Sequence, residues 1–405
     1  MDKLLKFLFL IALFVGLTLG DIARVSFSSG VAVSLLDICT SAAVLVFILE
    51  ILIKRKAIKS KLIKPIIFFN IASFLSLVAN VHTFGLHDIL IAALYLLRWD
   101  LYALLYFLII EFDISFKKKL SYLFILEGAV LIIVGLVQYI FYTNLRNLYY
   151  LGWDPHLYRL FGSFLDPNFM GAFLVLFSFF VLGMGMTLYK KSKNSSLAMF
   201  FLLLLSFLTV ILTYSRSAYA MLVIGLILFY LLFFRNKKLF LGTITFLVFA
   251  VIVVLFLGKK SEGTNLLRIT SSRARIISVN EVLTIISSNP IFGVGFDAYR
   301  YAQNTHGFLG RQNWQISHAG AGTDNSFLFT MATTGILGFF AYVYLWIQIL
   351  KLIYNEGKKK SSVFIFAIFS SFTALLFDSL FINSLFYPAI MFWFWSVLAL
   401  VIDYK

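Results

Sequence analysis

Three arginines have the residue type and position to carry chemistry at a membrane surface. Arg216 separates two long apolar runs with almost no loop, and Arg273 and Arg275 lie in the only long polar tract of the chain, 258–325. A charge at the end of a membrane span is costly and is usually functional or paired. The guanidinium group donates paired hydrogen bonds to phosphate or carboxylate oxygens. We therefore predict that these arginines hold an anion such as a diphosphate.

The sequence offers no usual set of metal ligands beside these arginines. It contains no Asp-x-Asp pair and no His/Cys cluster with ligand spacing. Divalent ions are normally bound by such carboxylate or imidazole sets. We predict that the protein uses no metal ion and no cofactor.

Asp324 and Asn325 open an apolar run immediately after the polar tract. An aspartate at this position can cap a helix or act as a general base, and the spacing alone favours neither role. His318, six residues upstream of Asp324, can also accept a proton near neutral pH, although a solvent-exposed loop histidine is the simpler interpretation. Asp324 is the candidate catalytic residue, and Asn325 and His318 are candidate substrate-binding residues.

A second polar segment, 143–168, ends with Arg159, Asp166 and Asn168, which are further candidates for substrate binding. Asp166 and Asn168 flank Pro167, a pattern that is also typical of a helix start. Four aromatic residues accompany them: Tyr149, Tyr150, Trp153 and Tyr158. Their rings could stack on sugars, although aromatic belts at membrane interfaces have the same composition.

The composition excludes a water-soluble globule, because 61% of the residues are hydrophobic and only 13% are charged. The apolar runs are long enough for membrane-spanning helices, whereas the short alternating segments of a β-barrel are missing. We predict an all-α polytopic membrane protein. Its twelve spans lie at about 5–19, 31–53, 65–81, 88–110, 120–142, 169–189, 197–213, 217–234, 239–257, 326–350, 362–380 and 385–402.

The basic residues orient these spans. Of the 22 lysines, 20 fall on the face that we assign to the cytoplasm, in the termini and alternate connections, whereas only two of the 12 arginines do. The net charge of +16 thus reflects topology, and no nucleic-acid partner is predicted. Both termini are predicted to be cytoplasmic, and the segments 143–168 and 258–325 form outer loops of a single membrane domain, 1–405.

Two further elements follow from the pattern of polar residues. Residues 278–288 have helical apolar spacing and end before Pro290, which predicts a short amphipathic helix on the membrane, with Arg273 and Arg275 preceding it. Arg98 and Glu127 lie inside predicted spans, where charges usually pair within the bundle. We predict that these two residues pair with each other.

Several short motifs, in this order and all in predicted outer segments, resemble the O-antigen ligase/polymerase superfamily. They are Gly162-x-Phe164-x-Asp166-Pro167-Asn168, Thr213-x-Ser215-Arg216, the Arg275-to-Pro290 spacing into Asn289–Gly295, Asp324-Asn325-Ser326-x-Leu328 and Gly335–Gly338. The similarity spans roughly 159–340.

The resemblance implies a C-type glycosyltransferase architecture in the bacterial cytoplasmic membrane. It implies a glycan donor on undecaprenyl diphosphate, held by Arg216 and Arg275 with Arg273 as the alternative, and a glycan or lipid-linked acceptor among the membrane lipids. Family ligases usually carry histidine where this sequence has Asp324, so Asp324 is the candidate base by position.

Three functions remain open from the sequence. A polymerase of lipid-linked repeat units is favoured, and an O-antigen ligase that transfers glycan to lipid A core or to protein uses the same donor chemistry. A lipid-linked sugar flippase would also need many helices and anion-binding arginines. Transporters, however, tend to place polar groups at mid-membrane, whereas this chain concentrates them on one face.

Overall fold

The apolar runs form helices, as predicted. The computed structural model describes residues 2–27, 31–189, 191–233, 261, 263–266, 269–309 and 322–402, with isolated positions between 242 and 256. Within these described residues, six helices are long and apolar enough to cross a membrane: Leu35–Lys54 (α2), Val81–Ile110 (α4), Ile114–Phe141 (α5), Pro167–Tyr189 (α6), Lys193–Leu212 (α7) and Ser326–Lys360 (α11).

Shorter helices complete the fold. Four of them are apolar and match predicted spans: Ile63–Ala79 (α3), Arg216–Leu232 (α8), Val363–Asp378 (α12) and Pro388–Ile402 (α13). The first predicted span corresponds to Asp2–Ile11 (α1) and its π-helical continuation, Ala12–Leu17. Two helices belong to the outer segments, Ile269–Ser288 (α9) and Tyr299–Thr305 (α10). The predicted span 239–257 lies largely outside the described residues.

The second predicted span begins later than expected, because its first residues are extended. Arg24–Ser26 (β1) and Ala32–Ser34 (β2) form an antiparallel hairpin in which Val25 pairs with Val33. Ser34 then caps α2, since its side chain accepts a hydrogen bond from Asp37 N while the Asp37 carboxylate bonds Ser34 N. This reciprocal cap fixes the start of the helix.

The amphipathic helix is also longer than predicted. It was expected at 278–288, but α9 begins at Ile269, so Arg273 and Arg275 lie within the helix rather than ahead of it. The expectation that both arginines precede the helix is therefore wrong. The predicted end before Pro290 is confirmed.

Helix α13 lies at the centre of the bundle and is buried along nearly its whole length. The Trp393 side chain is fully buried and contacts four phenylalanines of α5 and α6: Phe124, Phe173, Phe177 and Phe180. Aromatic pairs in such edge-to-face arrangements stabilise a core beyond their burial alone. The helix therefore anchors the bundle beneath the outer segments.

The motif Asn289–Gly295 packs into a break in helix α11. Gly335 has φ 65° and ψ −168°, which interrupts the helix. Val294 N and Gly295 N donate to the carbonyl oxygens of Ala332 and Thr333, both at 2.9 Å. Non-helical backbone at membrane depth persists only where the protein satisfies it in this way. The two glycine-containing motifs noted in the sequence thus form one structural joint.

Predicted inner segments contact one another, and predicted outer segments contact one another. On the side assigned to the cytoplasm, Lys6 pairs with Asp113, Lys56 pairs with Glu111, and Lys360 Nζ lies 2.8 Å from Ile402 O. On the other side, Leu160 N donates to Leu212 O at 2.9 Å, and Ser326 N donates to Ser379 O at 2.8 Å. These contacts join segments that the sequence assigns to the same face, and which face is cytoplasmic stays a prediction.

Candidate functional site

Arg216 begins helix α8, at the end of the bundle that the sequence assigns to the outer face. Ser215 caps this helix by accepting a hydrogen bond from Ala218 N, so the sharp joint after α7 is built by the Thr213–Ser217 motif itself. The Arg216 side chain is partly buried, and its Nη1 atom lies 3.4 Å from Leu266 O in the large outer loop. The guanidinium therefore sits where the loop meets the helix ends.

Arg275, on helix α9, is the second guanidinium of the candidate site. Its positive charge acts on that of Arg216. Like charges held together in a fold are unfavourable unless a negative group lies with them. This arrangement fits the binding of a doubly charged anion.

Asp324 supplies a carboxylate beside this pair, with its Oδ2 atom 3.9 Å from Arg275 Nε. Its side chain keeps 57% of its surface accessible, so a substrate can reach it. The surrounding protein raises the Asp324 pKa by limiting hydration, Arg275 lowers it, and Asp166 and Asp154 raise it further. A carboxylate with a raised pKa is a stronger base once it has lost its proton.

Asn325, rather than Asp324, caps helix α11. Its Oδ1 atom accepts from Phe327 N and Leu328 N, both at 2.9 Å, and its Nδ2 atom donates to Leu380 O at 3.0 Å. Both the oxygen and the nitrogen of the Asn325 amide are therefore hydrogen-bonded to backbone groups. The helix cap does not involve the Asp324 side chain. The alternative that Asp324 serves as the cap residue is wrong.

Asp378, at the end of α12, is a carboxylate that sequence reasoning missed. It is fully buried beside Ser217 and Ser384 and interacts electrostatically with Arg275. In the sequence it ends an apolar run and is indistinguishable from an ordinary helix-terminal residue. Two carboxylates, Asp324 and Asp378, thus act on Arg275.

Arg159 hydrogen-bonds both to Thr213, at the joint before α8, and to Asn168, at the start of α6. It is 5% exposed, and its Nε atom donates to Thr213 O at 2.8 Å while its Nη2 atom donates to Asn168 Oδ1 at 3.0 Å. Asp166 caps α6 through Asn168 N at 2.6 Å, and its Oδ2 atom lies 3.9 Å from His156 Nε2. Arg159, Asp166 and Asn168 therefore shape the site.

The remaining two candidates are Arg273 and His318. Arg273 is exposed on α9. Two residues along a helix correspond to a rotation of roughly 200°, so Arg273 and Arg275 point to different sides. The structure brings Arg275 to Asp324. His318 lies outside the described residues.

The predicted pairing of Arg98 with Glu127 is wrong. Arg98 Nη2 lies 3.2 Å from Asp37 Oδ2, and Glu127 accepts a hydrogen bond from Thr18 at 2.8 Å. Tyr102 also donates to Asp37 at 2.8 Å. Asp37, and not Glu127, is the partner of Arg98 because it faces Arg98 from the first turn of α2.

The same network reaches the outer loop through Asp297. Arg98 and Arg300 both interact electrostatically with Asp297, whose φ of 60° holds it in the left-handed region. Burial raises the Asp297 pKa to about 7, while the two arginines oppose that rise. The hairpin, α4 and α10 are thereby linked by charge, at a place where sequence reasoning had placed no site.

Comparison with known families places the matched region over the same residues. Residues 201–343 match a family model described as O-antigen ligase, a range that contains Arg216, Arg275 and Asp324. A search of curated proteins found no match. The broken helix at Gly335 and its partner motif also lie within the matched range.

Proposed function

We propose that the chain, whose residues 201–343 match the O-antigen ligase family, is a member of the O-antigen ligase/polymerase superfamily that polymerises lipid-linked glycan repeat units. The family match supports a glycosyltransferase-like enzyme with a role in O-antigen biosynthesis. With its many apolar helices, it is a multi-pass protein of the bacterial inner membrane.

The donor in this proposal is a glycan on undecaprenyl diphosphate, bound at the outer face with both termini cytoplasmic. The observation that carries the proposal is the contact of Arg275 with Asp324, together with the electrostatic interaction between Arg275 and Arg216. Two guanidinium groups from different helices match the charge of a diphosphate, and each can donate paired hydrogen bonds to its oxygens.

The reaction is a single displacement with inversion at the sugar. An acceptor hydroxyl attacks the anomeric carbon, Asp324 takes the hydroxyl proton, and the bond from that carbon to the diphosphate oxygen breaks. The electron pair leaves with the lipid diphosphate, where Arg216 and Arg275 stabilise the developing charge. Donors positioned on such charge contribute about 10²–10³ in rate each.

Other residues keep these groups in place. Asp378 acts on Arg275 from the buried side, and Arg159 holds the Thr213–Ser217 joint that presents Arg216. Orientation by such supporting contacts is what allows a charge to act without rearranging during the reaction. We assign Arg159, Asp378 and Asn325 positioning roles.

The test is a reaction of the purified protein in lipid nanodiscs with lipid-linked repeat units as the only substrate. Chain growth without another acceptor supports the polymerase. New glycosidic bonds that form only after lipid A core or protein is added would instead indicate a ligase, and transport of the donor across vesicles without any new bond would indicate a flippase.

A further inference from the structure

A cavity of about 640 Å³ opens between the β1–β2 hairpin and the predicted outer loop 143–168. Its lining includes Asp21, Arg24, Tyr142, Trp153 and Phe161. This volume lies within the range of about 300–1,000 Å³ that is typical of small-molecule sites. None of these five residues belongs to the arginine pair or its carboxylates.

The cavity is lined by apolar side chains and by the ion pair of Arg24 with Asp21. Arg24 Nη1 lies 3.6 Å from Asp21 Oδ1, and the Arg24 guanidinium lies 5.9 Å from the centre of the Trp153 ring. The Asp21 carboxylate accepts a hydrogen bond from Tyr387 at 2.7 Å, and a carboxylate has further lone pairs to offer. Donors and acceptors therefore converge beside an aromatic face without a net charge.

That chemistry fits a neutral sugar. A pyranose ring presents hydroxyl groups around its edge, which both donate and accept hydrogen bonds, and C–H groups on its faces, which pack on aromatic rings. An alkyl chain in the same place would leave the remaining lone pairs of Asp21 and the remaining N–H groups of Arg24 without partners, which is unfavourable. A diphosphate would meet the Asp21 carboxylate beside Arg24.

The cavity shares one wall with the candidate reaction site. Gln138 Oε1 accepts from Phe161 N and Gly162 N at 2.8 and 2.9 Å, and its Nε2 atom donates to Arg159 O at 3.3 Å. Phe161 and Gly162 line the cavity, whereas the Arg159 side chain reaches Thr213 O and Asn168 on the other side. Residues 159–162 therefore line the cavity on one side and contact Thr213 and Asn168, near Arg216, on the other.

Tyr387 makes a second link between the sites. Its hydroxyl donates to Asp21 Oδ2 and also lies 3.2 Å from Phe164 O. Its ring stacks on Phe169 with 4.1 Å between the centroids, next to Asn168 in the chain. A ligand in the cavity is thus connected to the loop that carries Asp166 and Asn168 by direct contacts.

We infer that this cavity binds a sugar unit of the acceptor glycan, apart from the arginine pair that holds the lipid diphosphate. The inference rests on the proposed glycosyl transfer, since it assigns the second substrate of that reaction. It divides the outer face into a donor half around Arg216 and Arg275 and an acceptor half around Arg24 and Trp153.

The experiment measures binding of a lipid-free oligosaccharide to the purified protein in nanodiscs. The probe is the repeat-unit oligosaccharide released by mild acid from the polymer of cells that express the protein, carrying a fluorescent label. Equilibrium dialysis gives its Kd for the wild type and for W153A, R24Q, R216A and Y149A. Tyr149 is an exposed aromatic of the same loop that does not line the cavity, so Y149A is the matched control.

We expect W153A to weaken oligosaccharide binding by at least about tenfold, as truncation of a central aromatic anchor does. R24Q should weaken it as well, whereas Y149A and R216A should bind as the wild type does. W153F should recover part of the loss, because it restores an aromatic face. R24Q carries the test if W153A does not yield folded protein.

Two results would overturn the acceptor site. One is oligosaccharide binding that R216A abolishes and W153A and R24Q leave intact, which would place the acceptor at the arginine pair. The other is a cavity variant that loses binding of undecaprenyl diphosphate and keeps that of the oligosaccharide, which would make the cavity a lipid site. Both differ from failure of the proposed function, in which R216A and R275A would still make polymer of normal length.

Discussion

Arg275 Nε lies 3.9 Å from Asp324 Oδ2, and this contact joins an arginine of helix α9 to the residue that precedes the cap of α11. The two residues are far apart in the chain, and both belong to the region that matches the O-antigen ligase family. The contact places a candidate base beside a candidate leaving-group clamp.

The first prediction separates Arg275 from its neighbour on the same helix. R275A should lower the rate of polymer formation by about 10²–10³, because one donor to the developing charge is lost. R273A, a change of the same kind at an exposed position, should stay near the wild-type rate. Product formation from lipid-linked donor in nanodiscs measures both. An equal loss in the two variants would contradict the assignment of Arg275.

The second prediction concerns pH. Asp324 must be unprotonated to act as a base, so kcat/KM should fall as the pH falls through its pKa. Because limited hydration raises this pKa, the fall should begin at a higher pH than for an ordinary aspartate. Arg275 lowers the pKa, so R275Q should move the acidic limb of the residual activity to still higher pH. An acidic limb that stays in place would show that another group is the base.

The third prediction tests the joint at Gly335. A Cβ atom on Gly335 would lie 2.1 Å from Ile291 O, and its φ is 65°. G335A should therefore lower the thermal unfolding temperature clearly more than G85A, because Gly85 has a φ of 83° and open space around it. Both changes impose left-handed strain of order 1–3 kcal/mol, and only one adds a backbone clash. Equal unfolding temperatures would count against the joint.

The fourth prediction concerns the buried pair of Arg98 and Asp37. R98A should lower the free energy of unfolding by about 3–5 kcal/mol, because it leaves the Asp37 carboxylate buried without its countercharge. K54A removes the exposed Lys54 from its pair with the partly buried Glu50 and should cost less than about 1 kcal/mol, since the lysine is solvated. Denaturant titration in detergent compares the two. A loss in R98A no larger than that in K54A would be inconsistent with the pairing.

The fifth prediction fixes the orientation. In a C39S background without other cysteines, a cysteine at Tyr150 should react with a membrane-impermeant maleimide in intact spheroplasts. A cysteine at Lys358 should react only after lysis, because the lysine-rich connections are assigned to the cytoplasm. Both positions are exposed. The opposite pattern would invert the topology.

Much of the helical architecture could be predicted from the sequence, because long apolar runs have few other structures in a membrane. The hairpin at 24–34 was missed, since three-residue strands carry no detectable periodicity. The partner of Arg98 was also missed, because Asp37 reads as a helix-cap residue and in fact has that role too. Pairing across helices depends on packing that spacing does not encode.

The candidate site could be predicted in part. Residue type and isolation singled out Arg216, and the resemblance ranked Arg275 above Arg273, in agreement with the side of α9 that meets Asp324. Asp378 carried no signal because it stands alone at the end of an apolar run. The capping role of Asn325 became visible only with the hydrogen bonds it makes.

Binding of undecaprenyl diphosphate to the purified protein tests whether Arg216 and Arg275 hold the lipid diphosphate. We expect R216A and R275A each to weaken this binding at least about tenfold, the loss expected when a charged hydrogen-bond donor is removed from its anion. D324N should bind the lipid diphosphate as the wild type does while forming no polymer. Wild-type affinity in both arginine variants would contradict the account.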